Sequence, residues 1–308
     1  MVSGTGMVSG VGTVSGAGAE NGLTRPVAVG RTPVMTTTLR PAEPLQKHSD
    51  GTRSRRFAVC VNSRPVGELR LGTSLNLGDS AARVLDVQIA EPDRRRGRGT
   101  VALLAAEEVA RDWGCVLMET VVPVAATAAL RLFATLGYTE RNRGMEKRLG
   151  AAPPALPPDR HARPMTAAEF DAWQEAESER YARTWIDRGI PEAAARAKAR
   201  DDHARLLPRG LGTDGMLFSV LEHEGGRVGT LWVALEEARA YVFDVETDPA
   251  HRGRGHGRAL MLVAERQAIE AGRPVLGLNV FAGNTPAERL YASLGYETVT
   301  HSLSKPLL

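Results

Sequence analysis

The chain contains one long segment written twice, 158 residues apart. Gly97 and Gly255 obey that offset, and so do Arg94 and Arg252, Arg96 and Arg254, and Gly99 and Gly257. Asp86 and Asp244, Glu107 and Glu265, Gly114 and Gly272, Leu132 and Leu290, Gly137 and Gly295, and Tyr138 and Tyr296 follow it without a gap. One local slip occurs at Pro92 and Pro249, which stand 157 apart. Solenoids stack three or more short repeats, whereas two copies of roughly 100 residues describe two units of one fold. A chain of 308 residues has room for both.

Each copy reads as strand, Arg/Gly turn, helix, strand, helix, strand. Residues 56–61, 66–71 and 84–90 are expected strands, followed by a helix with apolar spacing through Leu103, Leu104, Ala106, Val109 and Ala110. CVLMETVVP is a strand, AATAALRLFATLG a helix and MEKRL a last short strand. GAAPPALPPDRHARP is rich in proline, which stiffens the chain and removes amide donors, so 150–163 is the expected linker. The second copy gains two helices, near 166–188 and 191–207, with Thr166 as N-cap three residues before Glu169. A hairpin, a strand over AYVFDVET, a helix from RALMLVAERQAIEAG, a strand VLGLNVF, a helix PAERLYASLG and a final strand complete it. Residues 1–34 repeat Gly, Ser and Val and cannot bury enough surface to offset chain entropy, so they are an expected disordered tail. Met35 opens a more protein-like stretch and is a second candidate start.

The Arg/Gly clusters, PDRRRGRG and PAHRGRGHG, allow two readings. One is a solvated tether for nucleic acid. The other is a turn whose glycines admit positive φ and whose free amides, at a helix start, grip an anion. The strand before and the amphipathic helix after each cluster favour the turn. A net charge of +3 suits an anionic ligand and is too small to argue for nucleic acid. Gly-x-Gly-x-x-Gly fails in both copies, and no Gly-Lys-Ser/Thr follows, so neither a dinucleotide fingerprint nor a P-loop is present. Two cysteines, Cys60 and Cys115, are too few for a disulfide framework and lack zinc spacing, which points to reduced thiols, no metal and a cytoplasmic protein. No apolar run reaches the roughly 18 residues that a membrane helix needs.

Arg-x-x-Gly-x-Gly after a strand, then a helix, a strand and Asn-x-x-Ala-x-x-Leu-Tyr-x-x-x-Gly-Tyr resembles the acyl-CoA-binding core of the GNAT (Gcn5-related N-acetyltransferase) superfamily. The resemblance covers most of 164–305 and, more weakly, 35–149. It implies an α/β fold of two tandem GNAT domains, each a mixed, mostly antiparallel sheet flanked by helices, over 35–149 and 164–308. It also implies acetyl-CoA as cosubstrate, wedged where two strands splay. The turn of Arg252, Gly253, Arg254, Gly255, His256, Gly257 and Arg258 would hold the pyrophosphate, and backbone amides near Val245 or Thr247 would polarise the thioester carbonyl. Asn284 would fix the cofactor arm or its helix start. Arg94, Gly97 and Gly99 form the matching turn of the first copy.

The copies differ where chemistry is expected. Asn284 corresponds to Ala126, and Tyr291 to Phe133. In the family a tyrosine at this place commonly protonates the leaving thiolate, which a phenyl ring cannot do. The resemblance therefore makes Tyr291 the expected acid, with a core aromatic on the apolar face of its helix as the alternative. The first copy also lacks room for the two helices that cover the acceptor, so the C-terminal domain is the expected catalyst and the N-terminal one degenerate. Asp244 and Glu246 share one strand face and are either base candidates or solvent-facing residues. Trp173, Glu177 and Tyr181 lie on one helix face, as an acceptor wall or as packing. The expected function is transfer of acetyl to a primary amine of a small molecule (antibiotic, amino acid or polyamine type). A protein N-terminus or lysine as acceptor, and a CoA-binding module without catalysis, are the alternatives. A monomer or homodimer without nucleic-acid or membrane partner is expected.

Overall fold

The computed structural model describes residues 36–74, 78–187 and 191–307. The expected disordered tail, residues 1–34, and the candidate start at Met35 lie outside the described residues.

The first copy forms β1 (Thr37–Pro41), β2 (Gln46–Lys47), β3 (Arg53–Val61), β4 (Arg64–Ser74), β5 (Gly78–Ile89), α1 (Arg98–Asp112), β6 (Leu117–Pro123), α2 (Thr127–Thr135) and β7 (Thr139–Arg148). The second forms β8 (Arg160–Pro164), α3 (Ala167–Ile186), α4 (Glu192–Leu206), β9 (Met216–His223), β10 (Gly226–Leu235), β11 (Ala240–Thr247), α5 (His256–Glu270), β12 (Val275–Phe281), α6 (Thr285–Ser293) and β13 (Glu297–Pro306). Among the described residues no α-helix precedes α1; β1 pairs with β3 as β8 pairs with β9, and only the short β2 stands between β1 and β3 where the second copy carries α3 and α4. Thr166 caps α3 as the sequence suggests. Its hydroxyl accepts from the Glu169 N–H at 3.3 Å, and Glu169 accepts from the Thr166 N–H at 2.8 Å.

Two elements are longer than their sequence signals. The short strand expected at MEKRL extends back to Thr139, because charged residues that face a partner strand carry no apolar alternation. The proline-rich stretch ends in β8, which pairs with β9 at the sheet edge, where Pro164 is tolerated.

All strands join one sheet in the order β1-β3-β4-β5-β6-β13-β7-β12-β11-β10-β9-β8, with β2 on β3. The β5–β6 and β11–β12 pairs are parallel and the others antiparallel. The last strands of the two copies interleave: β13 lies between β6 and β7, and β7 between β13 and β12. Arg143 stands opposite His301, its own equivalent, so a pseudo-two-fold passes through this pair.

Each core is therefore completed by the other copy. Leu303 and Leu307 of β13 and its tail join the core of Leu69, Leu103 and Met118. Met145 of β7 joins the core of Leu231, Leu260 and Leu276. Burying such a side chain is worth about 1.5–3 kcal/mol. The polar seams repeat the rule. Glu107 on α1, with its side chain 3% exposed, meets Lys305 of β13 at 2.7 Å, and Glu265 on α5, 5% exposed, meets Lys147 of β7 at 2.7 Å. Lys305 also lies over the Tyr138 ring and Lys147 over the Tyr296 ring, each at 5.7 Å. Burial, joined by the neighbouring glutamate, raises both phenol pKa values.

Candidate active site

β11 pairs with β12 only through Ala240, Tyr241 and Val242. Val245 and Thr247 lie beyond that point, where β11 is bonded to β10 alone. A bulge beside Phe243, between the Trp232–Asp244 and Val233–Val242 pairs, turns the strand away. The parting leaves backbone groups that would have bonded β12 facing a gap. The first copy parts likewise after Val84 and Thr120.

The Arg/Gly turns have one backbone plan. Gly255 (φ 82°) and Gly97 (φ 73°) are the left-handed N-caps of α5 and α1. Gly253 (φ 77°) and Arg95 (φ 57°) take the same region two residues earlier. Arg252 donates from Nε to the Thr247 carbonyl at 3.3 Å, and Arg94 to the Ile89 carbonyl at 2.7 Å. These first arginines brace the strand end, leaving the turn amides to meet an anion. A Cβ at Gly257 would stand 3.2 Å from Leu290, and one at Gly99 3.1 Å from Leu132, so this second glycine lets the two helices approach. Arg258 ties the same helices through Ser293 Oγ at 2.5 Å.

Arg160 of β8 holds the second turn from beneath. It donates to the Arg254 carbonyl at 2.8 Å and to His256 Nδ1 at 3.3 Å. His256 is 1% exposed, and burial followed by the Arg160 charge lowers its pKa. No sequence motif marks Arg160; its role needs the β8–β9 edge to exist.

Beside the parted strands lies a cavity of about 690 Å³ between α3, α4, β11 and β12. Asp244 and Glu246 face it together, and Arg180 of α3 bridges them, bonding Glu246 through Nη1 and Asp244 through Nη2 at 3.3 Å. Trp173 donates its indole N–H to Asp244 at 3.3 Å from within an aromatic cluster with Phe170, Phe218 and Trp232. Burial raises the Asp244 pKa despite the opposing Arg180 charge. Glu177 lies 2.5 Å from His203 Nε2. Burial alone would keep His203 neutral, but Glu177 and the Ala199 carbonyl outweigh it and its pKa is raised. Tyr181 donates to Asp202 at 3.0 Å, and burial with the Asp202 charge pushes its pKa to about 12. Glu177 and Tyr181 thus line the cavity with their polar ends already paired, while Trp173 is mostly behind it. Arg180 shares the face of Trp173 and Glu177, seven and three residues before it, yet in the sequence it looks like a solvated helix arginine; its partners appear only once α3 lies across β11.

Tyr291 is 6% exposed, and its hydroxyl has no hydrogen-bond partner among the described residues. Burial, followed by the Asp244 charge, pushes its pKa to about 12. Asn284 Oδ1 caps α6 by accepting from the Ala287 N–H at 3.4 Å. At the equivalent places Phe133 is 2% exposed, and Ala126 makes no side-chain cap.

Comparison with known proteins agrees with this geometry. The model of the acetyltransferase (GNAT) family matches twice, over residues 32–138 and 168–296. The uncharacterized N-acetyltransferase YycN of Bacillus subtilis is 30% identical over 151 residues, 47% of this chain and 96% of that protein. A mycothiol acetyltransferase of Brachybacterium faecium is 29% identical over 246 residues, 75% of this chain and 69% of that protein. The crystal structure of a GCN5-related N-acetyltransferase from Sphaerobacter thermophilus has a TM-score of 0.58 at 21% identity, covering 82% of this chain and 80% of that one. The two matched regions, each with its splayed strand pair and glycine-capped turn, make this chain a tandem member of the acetyltransferase (GNAT) family.

Proposed function

We propose that the protein is an acetyl-CoA-dependent N-acetyltransferase whose C-terminal half transfers acetyl to a primary amine of a small molecule. The observation that carries this reading is the inequality of two halves on one scaffold. Both have the splay and the turn, but only the second sets a phenol, Tyr291, beside them and covers the site with α3 and α4. The cavity volume, about 690 Å³, lies within the range of small-molecule sites.

The turn fits a pyrophosphate: amides at a helix start, a left-handed glycine, and the cationic Arg160 guanidinium as the one side-chain group within 4 Å of where a Gly255 Cβ would stand. Acetyl-CoA, when bound, supplies the acyl group. The chain's own groups then divide the work. Asp244 or Glu246 takes the proton of the acceptor ammonium, releasing the nitrogen lone pair. Amides of the parted β11 steady the carbonyl oxygen as the C–N bond forms and the C–S bond breaks. Tyr291 offers its O–H to the departing sulfur. The nitrogen gives up two protons in becoming an amide: one leaves through the carboxylate to solvent before attack, and the other, lost as the C–N bond is made, balances the one the thiol gains.

Calorimetry with acetyl-CoA tests the binding step. Gly255→Glu is expected to abolish a micromolar-range event, because a carboxylate would enter the phosphate turn. Gly97→Glu leaves that event in place. Absence of binding in the wild type would sink the acetyltransferase reading.

A pH profile tests the base. Asp244 acts only when ionised, and its pKa is raised by burial, so the acid limb of kcat/KM is expected above the usual aspartate range. Arg180 opposes that rise, so Arg180→Met moves the limb to still higher pH. An unmoved limb excludes Asp244 as the titrating group.

A further inference from the structure

The interleaved strands carry a residue of the first half into the acceptor site of the second. Asn142 of β7 lines the cavity that holds Arg180, Asp244 and Glu246. It is 8% exposed, and its Oδ1 is buried without a hydrogen-bond partner. Its strand neighbours in register are Phe281 of β12 and Ser302 of β13. Asn279, exposed and also lining the cavity, stands two residues before Phe281 and opposite Gly144. A Cβ on Gly144 would stand 2.5 Å from Thr300 Oγ1 and 3.5 Å from Asn279 Oδ1, so glycine keeps this part of the floor open.

An unpaired buried carbonyl oxygen costs about 1–3 kcal/mol. Native interiors leave few such groups, and each calls for an explanation; in a residue that lines a cavity, a bound molecule is one partner that a turn of the side chain would reach. The chemistry of the cavity is then divided. Two carboxylates on β11 meet a cation, and an amide on β7, across β12, meets a hydrogen-bond donor. A leucine at position 142 would remove the cost and fill the same space, yet the chain carries an amide there.

We propose that Asn142 is a specificity-determining residue of the acceptor site, its carboxamide receiving a hydroxyl or second N–H of an acceptor whose amine meets Asp244 and Glu246. The inference rests on the acetyl-transfer reading and deepens it: the acceptor class is a small amine bearing a further hydrogen-bond donor. It also gives the first half a chemical part in the second half's site.

The test uses paired amines that differ by one hydroxyl, ethanolamine against ethylamine and 1,3-diamino-2-propanol against 1,3-diaminopropane, with thiol release as readout. The full-length wild type is expected to favour the hydroxylated member of at least one pair by about tenfold in kcat/KM, the worth of one well-made hydrogen bond. Asn142→Leu reduces that preference to about twofold or less, chiefly through KM of the hydroxylated amine, with acetyl-CoA affinity by calorimetry unchanged. Asn142→Asp, which keeps an acceptor oxygen, retains the preference. Asn142→Ala replaces the leucine variant if the latter does not melt cooperatively. An equal preference in the wild type and in the leucine or alanine variant overturns the inference, and so does a wild type that binds acetyl-CoA but distinguishes no pair. A wild type that binds no acetyl-CoA instead removes the reading beneath it.

Discussion

Residues 150–308, produced alone, are expected to show no cooperative thermal transition, and residues 36–149 the same. Each half lacks the strand that fills its sheet. Without β7, the C-terminal half exposes an edge of both β12 and β13, loses Met145 from its core and leaves Glu265 without Lys147. Without β13, the N-terminal half loses Leu303 and Leu307, and Glu107 loses Lys305. Co-expression of the two pieces is expected to restore a sharp transition, since no covalent link is needed for the interleaving. A half that melts sharply by itself would mean that β13 can close onto β12 and that the halves are independent. Point variants measure the seam more finely. Lys305→Met leaves Glu107 buried without its partner and is expected to cost about 3–5 kcal/mol. Glu107→Gln combined with Lys305→Met recovers most of that loss, because the uncompensated charge is gone. Additive losses in the double variant would show that the pair acts only through packing.

The offset of 158 residues revealed two copies of one fold but could not reveal how they interleave. Lys147 and Lys305 obey that offset whether each pairs with the glutamate of its own half or of the other. Internal comparison is blind to the difference. The first residues of β7 are illegible for a related reason: Thr139 and Glu140 are polar and pair with Ser304 and Leu303 of the other copy's β13, so no apolar rhythm announces them. Local chemistry was more legible. Gly97 and Gly255 need a left-handed φ, and a helix does start there. Asn284 reads equally as a cofactor ligand or a cap, and its side chain caps α6. Arg160, Arg180 and Asn142 were not legible, because each reaches the site from an element whose position depends on the assembled sheet. The covering helices of the second half were readable as elements, yet the bond from Arg180 to both β11 carboxylates requires α3 to lie across β11. Spacing within one helix cannot supply that.

Tyr291→Phe is expected to lower kcat about 100-fold, with any amine that the wild type acetylates, while acetyl-CoA affinity and the melting temperature stay within error. The reason the loss is not larger lies in the proton's energetics. The Tyr291 phenol is pushed to about 12 by burial and the Asp244 charge, whereas an unperturbed cysteine-type thiol titrates near 8.5. Complete transfer from phenol to thiolate would run uphill by more than three units. Under the proposed function the phenol would therefore serve chiefly as a neutral hydrogen-bond donor that steadies sulfur as it gathers charge, a contribution at the lower end of the roughly 10²–10⁴-fold range of positioned acids. The proton that the thiol finally keeps comes from the pool fed by the amine through the carboxylates. This assignment has a signature beyond the height of the rate. Because Tyr291 stays protonated across the working range, Tyr291→Phe lowers the pH profile without changing its shape, and the acid limb set by Asp244 remains where it was. A phenol that only packed against Tyr296, 6.1 Å away between ring centres, would instead move stability and KM together and leave kcat within about threefold. Loss of an alkaline limb in the variant would instead identify Tyr291 as a titrating general acid that ionises well below the value that its burial sets, and would replace the neutral-donor assignment with full proton transfer.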